Sequence, residues 1–319
     1  MTIFGIGEAS GQHAGPRNQS TRTEETMVKS HTVRRVRDSA MDSFRNMTPE
    51  VASNLLSKRR SYEAGESAFR NDGPLIASYN IHKCVGQDGQ FDPDRIIEVI
   101  REIDPDVIAL QEVDQRFGKR NGLLDPDRLE RRTGLVPVVS SLSGHSLGWH
   151  GNVVLARKGV PATARRLLLP GVEPRGGLVV DLELATGPLR VIAAHLGLLR
   201  RCRALQARML MEAAEPEDDR PVVLMGDLNE WRLGPRSALR ELEPRFGPLE
   251  AVVPSFPASY PLWALDRVLA SPKSLIASLE VHDTDLARQA SDHLPLKARI
   301  LPSDCLEAES EEESLTSVA

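Results

Sequence analysis

Ser291-Asp292-His293-Leu294-Pro295-Leu296-Lys297-Ala298-Arg299-Ile300 sets a carboxylate and an imidazole just before an apolar, strand-like run. Three similar placements lie upstream. Gln111-Glu112 follows the apolar run Val107 to Leu110, Gly226-Asp227-Leu228-Asn229 follows Val222 to Met225, and Leu265-Asp266-Arg267 opens a run to Ala270. Carboxylates, an amide and a histidine thus recur where buried strands meet loops, which is where α/β scaffolds carry reacting groups. Carboxylate oxygens suit a hard divalent cation, and an imidazole handles a proton or a developing anion. That combination is what metal-assisted cleavage of a phosphate ester needs.

The 319 residues give room for one large domain or two ordinary ones, and a mean hydropathy of −0.28 describes a soluble globular chain. Charge is uneven along it. Residues 1–72 carry 11 basic and 9 acidic side chains, 73–302 carry 29 and 30, and 303–319 carry none and 6. The near-neutral centre argues against a broad electrostatic footprint for duplex nucleic acid, though a local basic groove stays open. Cys84, Cys202 and Cys305 are far apart and odd in number, so neither a disulfide framework nor a zinc spacing is visible. No apolar stretch approaches the ~20 residues of a membrane span, and the polar first thirty residues hold no signal-peptide core. The expected location is the cytoplasm.

Residues 1–72 are poor in apolar periodicity and read as a mostly disordered extension, with a short helix over Pro49 to Lys58. Residues 73–302 read as the folded domain, and 303–319 as an acidic disordered tail. Within the domain, Asp92-Pro93 caps and opens a helix whose apolar positions Ile96, Ile97 and Ile100 share one face. Asp125-Pro126 opens a second helix, Arg200 to Ala214 a long amphipathic one, and Arg236 to Leu242 a fourth. Strands are expected at Leu75 to Ile81, Val107 to Leu110, Asn152 to Ala156, Leu167 to Leu169 and Gly177 to Leu184. Further strands are expected at Leu189 to Ala194, Val222 to Met225, Leu265 to Ala270, Leu275 to Val281 and Leu294 to Ile300. Consecutive strands between helix-bearing units do not fit an alternating βα barrel. They fit an α/β (α+β) sandwich of two mixed sheets packed face to face with helices outside.

Six segments carry a resemblance: Ser78-Tyr79-Asn80-Ile81-His82, Leu110-Gln111-Glu112-Val113, Ala193-Ala194-His195-Leu196, Gly226-Asp227-Leu228-Asn229, Leu265-Asp266-Arg267 and Ser291-Asp292-His293. In residue type and order they resemble the motifs of the endonuclease/exonuclease/phosphatase superfamily, the DNase I-like metal-dependent phosphoesterases. The Tyr-Asn-Ile-His-Lys, Gly-Asp-Leu-Asn-Glu-Trp and Ser255-Phe256-Pro257 runs are similar to a branch of small stand-alone bacterial hydrolases. The resemblance spans about residues 74–300. It implies a four-layer sandwich with its site where the strand ends of both sheets meet, and Mg²⁺- or Mn²⁺-dependent phosphoester hydrolysis.

Residue by residue, Glu112 after a buried strand needs a partner, which a divalent cation supplies with help from Asn80 or Asp292. The alternative is an ion pair of Glu112 with Arg116 or Lys119. Asp227 and Asn229 alternate by two and share a face if strand geometry persists; Asp227 then orients or deprotonates water and Asn229 donates to a phosphoryl oxygen. Asp266 and His293 form a carboxylate–imidazole pair, with the general-base role open between His293 and Asp227. The resemblance gives His195 a place as a second acid near the leaving oxygen. Asn152, Arg116 and Arg120 are weaker candidates for the substrate phosphate, as are Arg200, Arg201 and Arg203 after His195. His82, His145 and His150 are candidates for lining the pocket, while Trp231 and Trp263 read as packing residues.

The expected activity is hydrolysis of a phosphodiester or phosphomonoester by in-line attack of water. A nuclease of the same superfamily is one alternative, opposed by the neutral centre and the 4% aromatic content. A lipid-headgroup or inositol-phosphate phosphoesterase is another, although the sequence offers no apolar hairpin to enter a bilayer. A catalytically silent binding module fits least, since every principal polar motif is present. No partner protein is evident.

Overall fold

Twelve strands carry the computed structural model, which describes residues 61–63, 73–115, 122–138, 147–215, 220–249 and 252–302. They are β1 (Ser61–Glu63), β2 (Leu75–Asn80), β3 (Val107–Gln111), β4 (Leu135–Pro137), β5 (Val153–Arg157) and β6 (Ala162–Leu169). The chain continues through β7 (Arg175–Leu184), β8 (Gly187–His195), β9 (Val222–Asp227), β10 (Asp266–Ser271), β11 (Ile276–Val281) and β12 (Leu296–Ile300). One sheet has the order β1-β11-β12-β2-β3-β5-β4 and the other β10-β9-β8-β7-β6. Each holds one parallel pair, β2–β3 and β8–β9, and is otherwise antiparallel.

Strand periodicity builds the layers. On β8, Val191 and Ala193 join the core between the sheets, while Ile192 and Ala194 turn to the opposite side. There they meet Ala207, Leu210 and Ala213 of the helix Arg200–Ala214. Val223 and Met225 of β9 likewise enter the inter-sheet core, and Val222 and Leu224 the helical side. Each fully buried branched or long aliphatic side chain stabilises the fold by about 1.5–3 kcal/mol.

The described helices are α1 (Pro93–Ile103), α2 (Pro126–Thr133), α3 (Arg200–Ala214), α4 (Glu243–Phe246) and α5 (Asp285–Ala290). α1 begins as the sequence predicts: the Asp92 carboxylate accepts the Arg95 amide at 3.0 Å, and Pro93 takes the first helical position. Ile96, Ile97 and Ile100 are buried against the first sheet. α1, α2 and α5 flank that sheet and α3 the other, giving four layers.

Four elements escaped the sequence. β4 and β1 are three-residue strands, too short to show a period, and α4 and α5 are helices of only four and six residues. β1 lies within the extension read as mostly disordered and pairs with β11. β6 begins five residues before the predicted strand, because an edge strand with largely exposed side chains needs no apolar alternation. Residues 236–242 form 3₁₀ turns, Gly234–Arg236 and Ala238–Leu242, rather than an α-helix. The expected helix at 49–58 and the acidic tail lie outside the described residues, as does Cys305. Cys84 and Cys202 are free thiols. Among the described residues no helix is long and apolar enough to cross a membrane.

Candidate active site

Topology brings the motifs to one end of the sandwich. β2 and β3 run in parallel and end at Asn80 and Gln111, which are register partners, and antiparallel β12 starts beside them. In the other sheet His195 and Asp227 are partners at the ends of β8 and β9, and Asp266 opens β10 opposite Asp227. Gly226 permits this approach. Its φ is +147°, and a Cβ there would lie 1.8 Å from the Ala194 carbonyl oxygen, so a larger residue would push β8 and β9 apart.

Asp227 sits at the centre of a buried polar cluster. Asn80 Nδ2 donates to its Oδ2 at 3.0 Å, joining the two sheets. His195 Nε2 lies 3.3 Å from the same oxygen, and His293 Nε2 3.9 Å from it. His293 Nδ1 is 2.7 Å from Asp266 Oδ2, which also accepts a hydrogen bond from the Ser255 hydroxyl. The Phe256 ring packs 4.7 Å from the imidazole. The Ser291 hydroxyl donates to the Asn80 carbonyl at 2.7 Å and accepts the His293 amide at 3.3 Å, so the 291–293 turn is fastened to the end of β2.

Burial sets the charges. It raises the Asp227 carboxyl to about 6, with the His293 charge opposing, Asp266 adding to the rise, and Arg175 and the Asn80 amide opposing. For His293 burial disfavours the charged ring, yet the charges of Asp266 and Asp227 outweigh it and hold the pKa at about 10. At neutral pH this favours an imidazolium facing an ionised Asp227.

The other half of the cluster is more open. Glu112, at φ 61°, follows β3, and its Oε2 lies 3.3 Å from Lys83 Nζ. His82, Lys83 and Cys84 all have φ between 45° and 59°, a left-handed turn costing roughly 1–2 kcal/mol per residue. The Asn80 Oδ1 atom accepts the His82 amide at 3.1 Å and steadies that turn. Asp292 Oδ2 is 3.8 Å from His82 Nε2, and Asp292 Oδ1 is buried with no hydrogen-bond partner.

Two oxygen-bearing sets could hold a cation. Ligand atoms of Asp227, Asp266 and His293 lie within 4.8 Å of one another. Asp266 Oδ2 is engaged by Ser255 and His293 and Asp227 Oδ2 by the Asn80 amide, while Asp266 Oδ1 is buried without a hydrogen-bond partner. Glu112, Asn80 and Asp292 form the second set. They are hard oxygen donors, one Asp292 oxygen is orphaned, and the Glu112 carboxylate already faces a cationic group.

The structure brings together Asn80, His195, Asp227, Asp266 and His293, and ties Asn229 to them differently from the sequence expectation. Strand geometry ends at Asp227. Asn229 has φ 52°, its amide NH bonds Asp227 Oδ1 at 3.0 Å, and its side chain donates to the Leu196 carbonyl at 2.9 Å. Asn152 Nδ2 donates to the Gly176 carbonyl at 2.9 Å, bridging the sheets, while its Oδ1 is buried without a partner. Arg203 is neither a solvated cation nor a phosphate ligand; it is buried and paired with Glu230 at 3.2 Å, a contact that anchors the loop after Asn229. Trp231 is not a packing residue: it is 43% exposed, with the Arg232 guanidinium 4.4 Å from its ring centre. Arg116, Lys119, Arg120 and His145 lie outside the described residues.

Three contributors were missed. Lys83 is the counter-ion of Glu112; the Tyr-Asn-Ile-His-Lys run contains it for resemblance alone, with no role attached. Ser255 was quoted for resemblance alone, although a serine ahead of an apolar ring is a ready partner for a buried carboxylate. Arg175, 5% exposed and bonded to Glu173 at 2.9 Å, puts its charge on Asp227; no local pattern marks it in a strand opening.

Two face-to-face mixed sheets with carboxylates, an amide and imidazoles at their common end define a phosphoesterase-type sandwich. Residues 77–293 match the endonuclease/exonuclease/phosphatase family, and the chain belongs to that family, whose members hydrolyse phosphoesters. The uncharacterized protein YbhP of Escherichia coli strain K12 is 33% identical over 163 residues, which cover 48% of this chain and 63% of YbhP. The match therefore spans less than two thirds of that relative. An endonuclease/exonuclease/phosphatase from Beutenbergia cavernae superposes with a TM-score of 0.54 at 25% identity, over 76% of this chain and 72% of that one. The mannosyl-6-phosphatase Bt3783 of Bacteroides thetaiotaomicron shares the fold, with a TM-score of 0.51 at 17% identity over 72% and 99% of the two chains.

Proposed function

We propose that the protein is a divalent-metal-dependent hydrolase of phosphoester bonds that uses water as the nucleophile. The observation that carries this reading is the meeting of both sheets on Asp227, which takes the Asn80 amide from one side and faces two histidines. Glu112, Asn80 and Asp292 would hold Mg²⁺ or Mn²⁺. Such an ion polarises the phosphoryl group and offsets charge on the leaving oxygen.

The chain's own groups divide the remaining work. Asp227, ionised above about pH 6, orients the attacking water and takes its proton. His293 is held cationic by Asp266 and Asp227, which favours a role in stabilising the phosphoryl charge over that of general base. Asp266, braced by Ser255, fixes the imidazole through Nδ1. His195, next to Asp227, is placed to serve the leaving oxygen, and Asn229 holds the carboxylate through its backbone NH. Arg175 and Asn152 border this cluster from β7 and the start of β5 and are candidates for the phosphate.

A panel of bis-p-nitrophenyl phosphate, p-nitrophenyl phosphate and plasmid DNA, assayed with Mg²⁺, Mn²⁺ or EDTA, tests the proposal. Metal-dependent turnover of at least one ester is expected. Activity that survives EDTA unchanged, or no activity on any ester with either metal, refutes it.

A further inference from the structure

Past the site, the loops of the second sheet form a rim unlike the rest of the surface. Nine large apolar side chains stand out as exposed among the described residues, and five belong to three loops at this edge. They are Val172 before β7, Leu198 and Leu199 after β8, and Trp231 and Leu233 after β9, each 43–73% exposed. Scattered exposed leucines are ordinary, but a group of them is not.

The three loops are stitched together. The Leu198 amide donates to Glu173 Oε1 at 3.3 Å, the Asn229 side chain to the Leu196 carbonyl, and Arg200 Nε to the Arg236 carbonyl at 3.0 Å. Their charges are one-sided. Arg200, Arg201 and Arg236 are exposed and Arg232 half-buried, whereas Glu230 is fully buried among Arg203 and Arg232, and Glu173 is paired with Arg175. The rim starts three residues beyond His195 and two beyond Asn229, so its loops continue directly from strands that carry the catalytic cluster.

We propose that this rim docks the protein on an anionic lipid bilayer, with Val172, Leu198, Leu199, Trp231 and Leu233 entering the interface and the arginines meeting acidic headgroups. Aliphatic tips between arginines fit the boundary between acyl chains and headgroups. A single-stranded nucleic acid would use the arginines but stack only on Trp231, leaving the leucines and Val172 without a partner. Resting on the hydrolase reading, docking also implies a substrate class: phosphoesters carried at a membrane surface.

Vesicle co-sedimentation of the full chain tests the docking without metal or turnover, so its outcome is independent of the hydrolase reading. The probes are phosphatidylcholine vesicles with and without about 30 mol% phosphatidylglycerol (an order-of-magnitude choice). Wild type is expected to bind the anionic vesicles and to release in high salt. Arg201→Glu with Arg236→Glu should weaken binding by more than about fivefold per arginine, and Leu198→Asp with Leu233→Asp at least as much. Circular dichroism and an unchanged melting temperature show that these variants are folded. Failure of wild type to bind anionic vesicles overturns the proposal, as does binding insensitive to both pairs. So does a preference for single-stranded DNA that the leucine pair does not alter.

Discussion

The half of the site proposed to handle protons and the half proposed to hold a metal are built differently. Asp227, Asp266, His195 and His293 are each at most 5% exposed; the first three lie at strand ends in register, and His293, on the turn before β12, is bonded to Asp266 at 2.7 Å. Glu112, Lys83, His82 and Asp292 stand on turns, several at positive φ, with Lys83 and His82 about 40% exposed at their side chains. The first half is organised by the sheets themselves. In the second, Lys83 balances the charge of Glu112, the role the proposal gives to a metal.

If that division holds, the largest effects come from the buried half. His293→Ala should lower kcat by about 10²–10⁴ with little change in metal affinity, read by steady-state kinetics across metal concentration. Equal loss of metal binding would break the division. Glu112→Ala should raise the metal concentration needed for half-maximal activity by at least an order of magnitude. Substantial recovery at saturating Mn²⁺ would sharpen the contrast, whereas an unchanged metal requirement would remove Glu112 from the metal half.

The pH profile probes the buried half alone. Asp227 must be ionised and His293 protonated, so kcat should rise as pH passes about 6 and fall as it approaches about 10. Asp266→Asn removes the main charge that holds the imidazole's proton, and the alkaline limb should then move to lower pH. An alkaline limb that stays in place would contradict the pairing. The smallest effect is expected at Lys83→Ala, which removes the cation competing at Glu112 and should tighten metal binding a few-fold, on the order of a screened partly exposed pair. Weaker binding would make Lys83 a supporting residue instead of a competitor.

The two halves were also unequally legible. Asp227, Asp266 and His293 could be found because each borders an apolar run, and burial of such runs fixes where a strand ends. Asn80 and Glu112 were legible for the same reason. Lys83 was not, because its place depends on a left-handed turn that no periodicity announces. Asn229 shares a face with Asp227 only if strand geometry persists, and it does not: the Asp227 carboxylate captures its amide and closes a turn. Arg175 acts on Asp227 of another strand and Ser255 bonds Asp266 across the loop before β10, contacts that no local periodicity encodes. The rim of exposed leucines stayed hidden because Leu198 and Leu233 belong to separate loops that meet only in the fold.

Calorimetric titration of Mn²⁺ into wild type, Glu112→Ala and His293→Ala, alongside hydrolysis of bis-p-nitrophenyl phosphate, tests the division most directly. The expected result is metal binding weakened by at least about an order of magnitude with Glu112→Ala and kept with His293→Ala, while turnover at moderate metal falls in both. Metal binding abolished by His293→Ala, or retained in full by Glu112→Ala, would contradict it.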